Sequence, residues 1–251
     1  MNGDEKNFHE LEEKIGVTFK SLNVLRQALV HRSFLNEHHD FELSNNERLE
    51  FLGDAVLELV VTEFLFQNYL NPEGELTNWR AALVNSDMLS SVAHEIGIES
   101  FLYLSRGEAQ DAGTKAREYI LANAMEAVIG AIYIDLGWDM AKQFVTRWIL
   151  VKLPEILELG LHMDPKSRFQ EAAQEFVGAT PTYRVLEEEG PDHAKHFKVG
   201  VYLDKEMIAE GEGSSKQEAQ VEAAERALKI KEWKGPRVNI MQKTSDVPKH
   251  A

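Results

Sequence analysis

The feature that most constrains what this chain can fold into is a change of hydrophobic period near residue 160. From residue 8 to residue 158 the apolar residues recur three and four apart, the spacing of a helix face, with no convincing alternation of period two. The spacing predicts helices over 8–15, 22–30, 45–70, 75–84, 87–96, 116–136 and 139–157. Turn signals separate them: Asn71-Pro72-Glu73-Gly74, Gly97, the polar stretch 107–114 and Leu136-Gly137. Residues 160–163 then read as a linker. Asp164-Pro165 has the form of an N-cap followed by proline at the first helical position, and a helix through Phe176 follows. Three short strands are predicted at 182–187, 196–202 and 207–211. The second places Phe197, Val199 and Val201 on one face and Lys198 and Gly200 on the other. An alanine-rich helix over 214–229 closes the unit. The expected architecture is an all-helical domain (1–158), a linker (159–163), an α-β-β-β-α domain (164–233) and an aperiodic, flexible tail (234–251).

Composition narrows the classes. The 251 residues are 43% hydrophobic and 27% charged, an ordinary folded composition. Charged residues interrupt every apolar run well before the ~20 residues a membrane-spanning helix needs, so no membrane partner is expected. The acidic N-terminus has no apolar core of the secretory kind. Cysteine is absent, which removes disulfides, thiolate nucleophiles and cysteine-ligated zinc; a cytoplasmic compartment is the expectation. The formal charge is −15, which taken alone argues against a polyanionic partner.

The carboxylates are not spread evenly. At about 100° per residue, Glu50 lies roughly −60° and Asp54 roughly −20° from Glu47, so three acids share one helix face. Leu49, Leu52, Val56, Leu59 and Val60 take much of the remaining circumference. In a second apolar helix, Glu126 is the only charge between Glu118 and Asp135, one turn from Asn123. Clustered carboxylates on apolar helices are costly unless protonated, paired or bound to a cation. Oxygen donors without cysteine suit Mg²⁺ or Mn²⁺, ions that assist phosphodiester hydrolysis. Two structural alternatives stand beside this. Ser44-x-x-Glu47 also fits a capping box, and Glu50 and Asp54 also fit a solvated face paired with Arg48. A di-iron bundle would need Glu-x-x-His pairs, which neither helix has.

The segment NERLEFLGDAVL (46–57) is similar to the signature of bacterial ribonuclease III, the double-strand-specific RNA endonuclease. His31-Arg32-Ser33-Phe34 with Asn36-Glu37, Glu73-Gly74-Glu75-Leu76 and ILANAMEAVIG (120–130) resemble further stretches of that family. The unit 164–231 looks like a double-stranded RNA-binding domain. The resemblance implies metal and catalytic carboxylates at Glu50, Asp54 and Glu126, with Glu47 and Glu73 as further acids of the cleft. The remaining ligand position, usually Asp, is Asn123 here. It also implies Mg²⁺-assisted hydrolysis to 5′-phosphate and 3′-hydroxyl ends and a homodimer cutting opposite strands. The natural substrates it implies are ribosomal RNA precursors and structured messenger RNAs. Phe51 matches an aromatic residue that inserts into the partner subunit; the residue pattern alone favours a core phenylalanine.

Double-stranded RNA is read by shape, across the minor groove and its flanking phosphates. Gln170, His193, Ser215 and Lys216 match the family's RNA contacts. Ser215 also reads as a simple N-cap and Lys216 as a solvated first-turn lysine. Residues 164–232 hold 10 Lys+Arg and 15 Asp+Glu, a net of −5. Weak, salt-sensitive binding by this module alone, and RNA affinity that depends on divalent metal, are therefore expected. The competing reading is a non-cleaving double-stranded RNA-binding or ribosome-assembly protein on the same fold, with Asn123 as the feature that separates the two.

Overall fold

A computed structural model describes residues 6–191, 195–233 and 240–242, and the chain divides into two compact units. The first holds α1 (Phe8–Ile15), α2 (Leu22–Ala28), α3 (Arg32–Glu37), α4 (Glu47–Asn68), α5 (Glu73–Val84), α6 (Ser86–Ile96), α7 (Arg106–Gln110), α8 (Lys115–Leu136) and α9 (Trp138–Trp148). The second holds α11 (Pro165–Val177), β1 (Thr182–Glu189), β2 (His196–Leu203), β3 (Glu206–Gly213) and α12 (Lys216–Lys231). A short helix α10 (Leu153–Leu159) spans the division, which falls between Leu153 and Pro154 rather than at 158.

The first unit is built around α8. By length and composition this helix could cross a membrane. Its apolar residues, Leu121, Met125, Val128, Ile129 and Ile132 among them, are instead buried inside the unit. Thr114 caps its start by accepting the Arg117 N–H at 3.2 Å. α2, α4, α6 and α9 pack around it. An apolar helix enclosed by amphipathic ones is the expected solution for a segment with no polar stripe.

The periodicity misplaces several ends, each for a local reason. The helix predicted over 22–30 stops at Ala28, because Val30 bridges Tyr103 and the Tyr103 N–H donates to Leu29 O at 2.8 Å. A short helix, α3, then starts with His31 as its cap: Nδ1 accepts the Ser33 N–H at 3.3 Å. The polar stretch 107–114 hides α7, capped by Ser105. The helix predicted over 139–157 breaks into α9, a 3₁₀ turn (Leu150–Lys152) and α10. Pro154 has no N–H to carry the ladder across that break.

In the second unit the three antiparallel strands lie in the order β1-β2-β3. Val199 pairs with Val185 and Gly211, and Val201 with Tyr183 and Ala209. α11 and α12 cover one face, with Phe169, Val201, Ala223, Ala227 and Leu228 in the shared core. The alanine richness of α12 has a steric cause. A Cβ on Gly211 would stand 2.2 Å from the Ala223 nitrogen and 2.3 Å from the Ala219 oxygen, so helix and strand touch backbone to backbone. α12 starts two residues later than its pattern predicted because Ser215 is its N-cap.

Part of the tail is held. Leu70 N–H donates to Met241 O at 2.7 Å, and Met241 N–H donates to Asn71 Oδ1 at 3.0 Å. Asn71 is buried, so this bond satisfies an acceptor with little access to water. Its partner is 170 residues away in sequence, which no local period can signal.

Candidate active site and RNA interface

α4 and α8 meet through two glycines. A Cβ on Gly53 would lie 1.8 Å from the Glu126 carbonyl oxygen, and one on Gly130 would lie 2.2 Å from the Leu49 carbonyl oxygen. No other residue fits at either place, so the helix backbones are in contact. Glu50 sits one turn before Gly53 and Asp54 directly after it. Glu126 sits one turn before Gly130. The contact therefore brings Glu50 and Asp54 of α4 beside Glu126 of α8.

Their electrostatics register this proximity. Burial, and then the charges of Asp54 and Glu50, push Glu126 up to about 8. Burial, and then Glu47 and Asp54, raise Glu50. Desolvation and like charges both favour the neutral acid, and here they act together. Asp54 and Asn123 are exposed, the latter one turn before Glu126 on α8. Among the described residues, no three acids or histidines converge closely enough to form a finished metal cage. The carboxylates lie within each other's field.

The two outlying acids differ. Glu47 is the first residue of α4, with Asn46 as N-cap, so the capping-box reading of Ser44-x-x-Glu47 fails. Its carboxylate accepts from Asn45 Nδ2 at 3.0 Å and lies 3.7 Å from the Arg32 guanidinium. Glu73 opens α5 and accepts the Thr77 hydroxyl at 3.0 Å. It is not among the charges acting on Glu50 or Glu126, so this chain does not join it to the cluster.

Phe51 is 81% exposed, which excludes the core reading. Leu59, one of the apolar residues of the α4 pattern, is also exposed, as is Phe66. At about 100° per residue these three fall within roughly 80° of one another, one apolar stripe along α4.

Sequence reasoning missed residues whose work is structural. Asn46 is buried and donates through Nδ2 to Ala28 O at 3.1 Å. Arg117 is 3% exposed, lies 3.8 Å from Glu99 and donates to Glu108 O. Ser33 accepts the Ser105 N–H at 3.1 Å, which ties α3 to the turn before α7. A glycine inside a helical pattern, as at 53 and 130, was the one available signal of close approach.

In the second unit, Gln170 is exposed on α11. It lines a groove of about 460 Å³ with Lys166, Tyr183, Gln217 and Val221. Lys166 Nζ donates to Gln220 Oε1 at 2.7 Å. Ser215 is the α12 N-cap, its hydroxyl accepting the Glu218 N–H at 3.1 Å. Glu218 in turn accepts the Ser214 N–H and hydroxyl at 2.8 and 2.6 Å. Lys216 is exposed, yet its ammonium lies 3.4 Å from Glu188. His193 lies outside the described residues.

Residues 21–153 match the family described as "Ribonuclease-III-like", and residues 165–231 match the "Double-stranded RNA binding motif". The chain belongs to the ribonuclease III family. The "Ribonuclease 3" of Enterococcus faecalis is 42% identical over 221 residues, covering 88% of this chain and 95% of that protein. That of Carboxydothermus hydrogenoformans is 43% identical over 229 residues, covering 90% and 97%. A solved nuclease domain of ribonuclease III from Campylobacter jejuni is 41% identical, with a TM-score of 0.53; it covers 59% of this chain and 99% of that one. With both domains of the ribonuclease III family in place, this chain is an endoribonuclease of double-stranded RNA.

Proposed function

We propose that this ribonuclease III cuts double-stranded RNA as a Mg²⁺-dependent homodimer, with Glu50, Asn123 and Glu126 holding the ion. The observation that carries the proposal is the Gly53–Gly130 contact, which sets Glu50 and Asp54 beside a Glu126 whose carboxyl is raised to about 8. Such a raised carboxyl marks a site short of positive charge, and its all-oxygen donors suit a hard cation, Mg²⁺ or Mn²⁺. When bound, the ion supplies Lewis-acid stabilisation of the charge that develops on the scissile phosphate. Asp54, exposed beside Glu126, takes the proton of the attacking water. The water oxygen bonds to phosphorus, the bond from phosphorus to the 3′ oxygen breaks, and that oxygen takes up a proton from solvent, leaving 5′-phosphate and 3′-hydroxyl ends. Glu47 adds negative charge beside Glu50, whereas Glu73 stands apart from the cluster within one chain. The Asn123 amide oxygen is a neutral donor, so the site binds its ion with one charge fewer than three carboxylates would.

The exposed Phe51, Leu59 and Phe66 stripe supports self-association, with Phe51 entering the partner subunit. It adjoins Glu50, which puts the dimer contact next to the chemistry. The Campylobacter jejuni structure is described as concerning a region involved in dimer formation. Gln170, His193, Ser215 and Lys216 contact the duplex. Precursors of ribosomal RNA and structured messenger RNAs are the natural substrates.

The test is a labelled RNA duplex incubated with Mg²⁺, Mn²⁺, Ca²⁺ or EDTA. Cleavage with Mg²⁺ or Mn²⁺, abolished by Glu126→Gln, is expected. Asn123→Asp should lower the Mg²⁺ concentration needed for half-maximal rate. Duplex binding without cleavage under every condition would sink the proposal and favour the non-cleaving reading.

A further inference from the structure

The surface that faces RNA carries an acid where phosphate would be expected to sit. Glu188 is paired directly opposite Phe197 in the β1–β2 ladder. Residues paired this way project from the same face of the sheet. Phe197 is buried against Val199 and Ala219, the latter on the first turn of α12. The ladder register therefore fixes Glu188 beside the N-terminus of α12, whatever rotamer it takes. Its carboxylate lies 3.4 Å from Lys216 Nζ and 2.8 Å from Lys195 Nζ. Lys216 is further fixed by lying over the Phe197 ring, 5.5 Å from its centroid. These two lysines hold the Glu188 carboxyl below its ordinary range. The neighbours of Glu188 differ: Glu187 pairs with Lys198 on the opposite face, where Lys198 Nζ already lies 2.9 Å from Glu210.

We infer that Glu188 is an internal competitor for RNA phosphate, occupying Lys216 and Lys195 in the free protein and lowering duplex affinity. The inference rests on Lys216 being an RNA contact, as proposed above. A carboxylate and a phosphate oxygen offer an ammonium the same kind of charge-assisted bond. A phosphate arriving at Lys216 displaces Glu188, and the carboxylate, tied to β1, stays near the phosphate as a like charge. The bound state thus neutralises up to one phosphate fewer than its lysines alone would. The pair adds little to folding, because exposed ion pairs contribute almost nothing to stability. Its effect falls on binding and on the salt dependence of binding.

The experiment is fluorescence anisotropy of a labelled RNA duplex with the full chain, in EDTA so that no strand is cut, over a series of NaCl concentrations. Glu188→Gln should tighten binding by about threefold to tenfold at low salt. It should also steepen the slope of log K against log salt by up to about one unit. Glu187→Gln removes the same formal charge from the opposite face and should leave both unchanged. Lys216→Gln in the Glu188→Gln background should cancel most of the gain. The inference is overturned if Glu188→Gln does not tighten binding, if Glu187→Gln tightens it equally, or if the gain survives loss of Lys216. Failure of the underlying reading looks different: Lys216→Gln would then be without effect in either background.

Discussion

The residue that most sharply expresses the chemistry of this chain is Glu126. Its carboxyl titrates near 8 in the folded protein, raised by burial and by the charges of Asp54 and Glu50, against an ordinary value of 4.5. The unfolded chain therefore loses this proton first as pH rises. Between pH 4.5 and 8 the folded state binds more protons than the unfolded state, so stability falls with rising pH across that window. In EDTA, the thermal midpoint should drop between pH 5 and pH 8, and Glu126→Gln should flatten that drop. A profile equally steep in the variant would place the titrating group elsewhere. With Mg²⁺ the sign of the pH effect on binding is opposite: the ion competes with the proton, so its affinity rises with pH and binding releases a proton. Asn123 belongs to the same balance. An aspartate there would add a like charge to the metal-free cluster, raising Glu126 further while attracting the cation more strongly.

At the scale of elements, the site depends on how close α4 and α8 can come. Gly53 and Gly130 face backbone atoms of the opposite helix, which cannot rotate out of the way as a side chain can. Alanine at either place forces the helices apart or strains both. Gly53→Ala and Gly130→Ala should each cost about 1–3 kcal/mol, read from urea unfolding midpoints. Each should also reduce cleavage by more than the loss of folded protein accounts for, since separating the helices separates Glu50 and Asp54 from Glu126. The same logic explains what the periodicity could and could not show. α4 and α8 were legible as long runs of apolar residues at helical spacing, and β2 from the alternation of Phe197, Val199 and Val201. α3 and α7, six and five residues long, were not, because a single turn holds too few apolar positions to establish a period. The carboxylate face of α4 was legible from spacing alone, while the failure of Ser44 as a cap depended on Asn46 being drawn to Ala28 O.

For the whole molecule, the proposed dimer turns on Phe51. A phenylalanine 81% exposed beside Glu50 leaves apolar surface in water that a second copy would cover. Phe51→Asp should shift the chain toward monomer in sedimentation velocity, with a matching loss of double-strand cleavage. A variant that remains dimeric would remove Phe51 from the interface. The net charge of −15 is also clearer at this scale. It did not exclude an RNA partner: a share of it stands at Glu47, Glu50, Asp54 and Glu126, and on the RNA-facing unit another share lies at Glu188, against the lysines themselves. The sequence by itself determined the long helices and the three strands, which carboxylates share a face, and the family to which the chain belongs. These are properties of local spacing and of residue types in order. Only the tertiary structure decided that Phe51 and Leu59 face outward, that Gly53 and Gly130 set the carboxylate spacing, that Met241 returns to Asn71, and that Glu188 holds Lys216. Each of those joins residues distant in sequence, where the interaction follows from packing and register rather than from any period the chain carries.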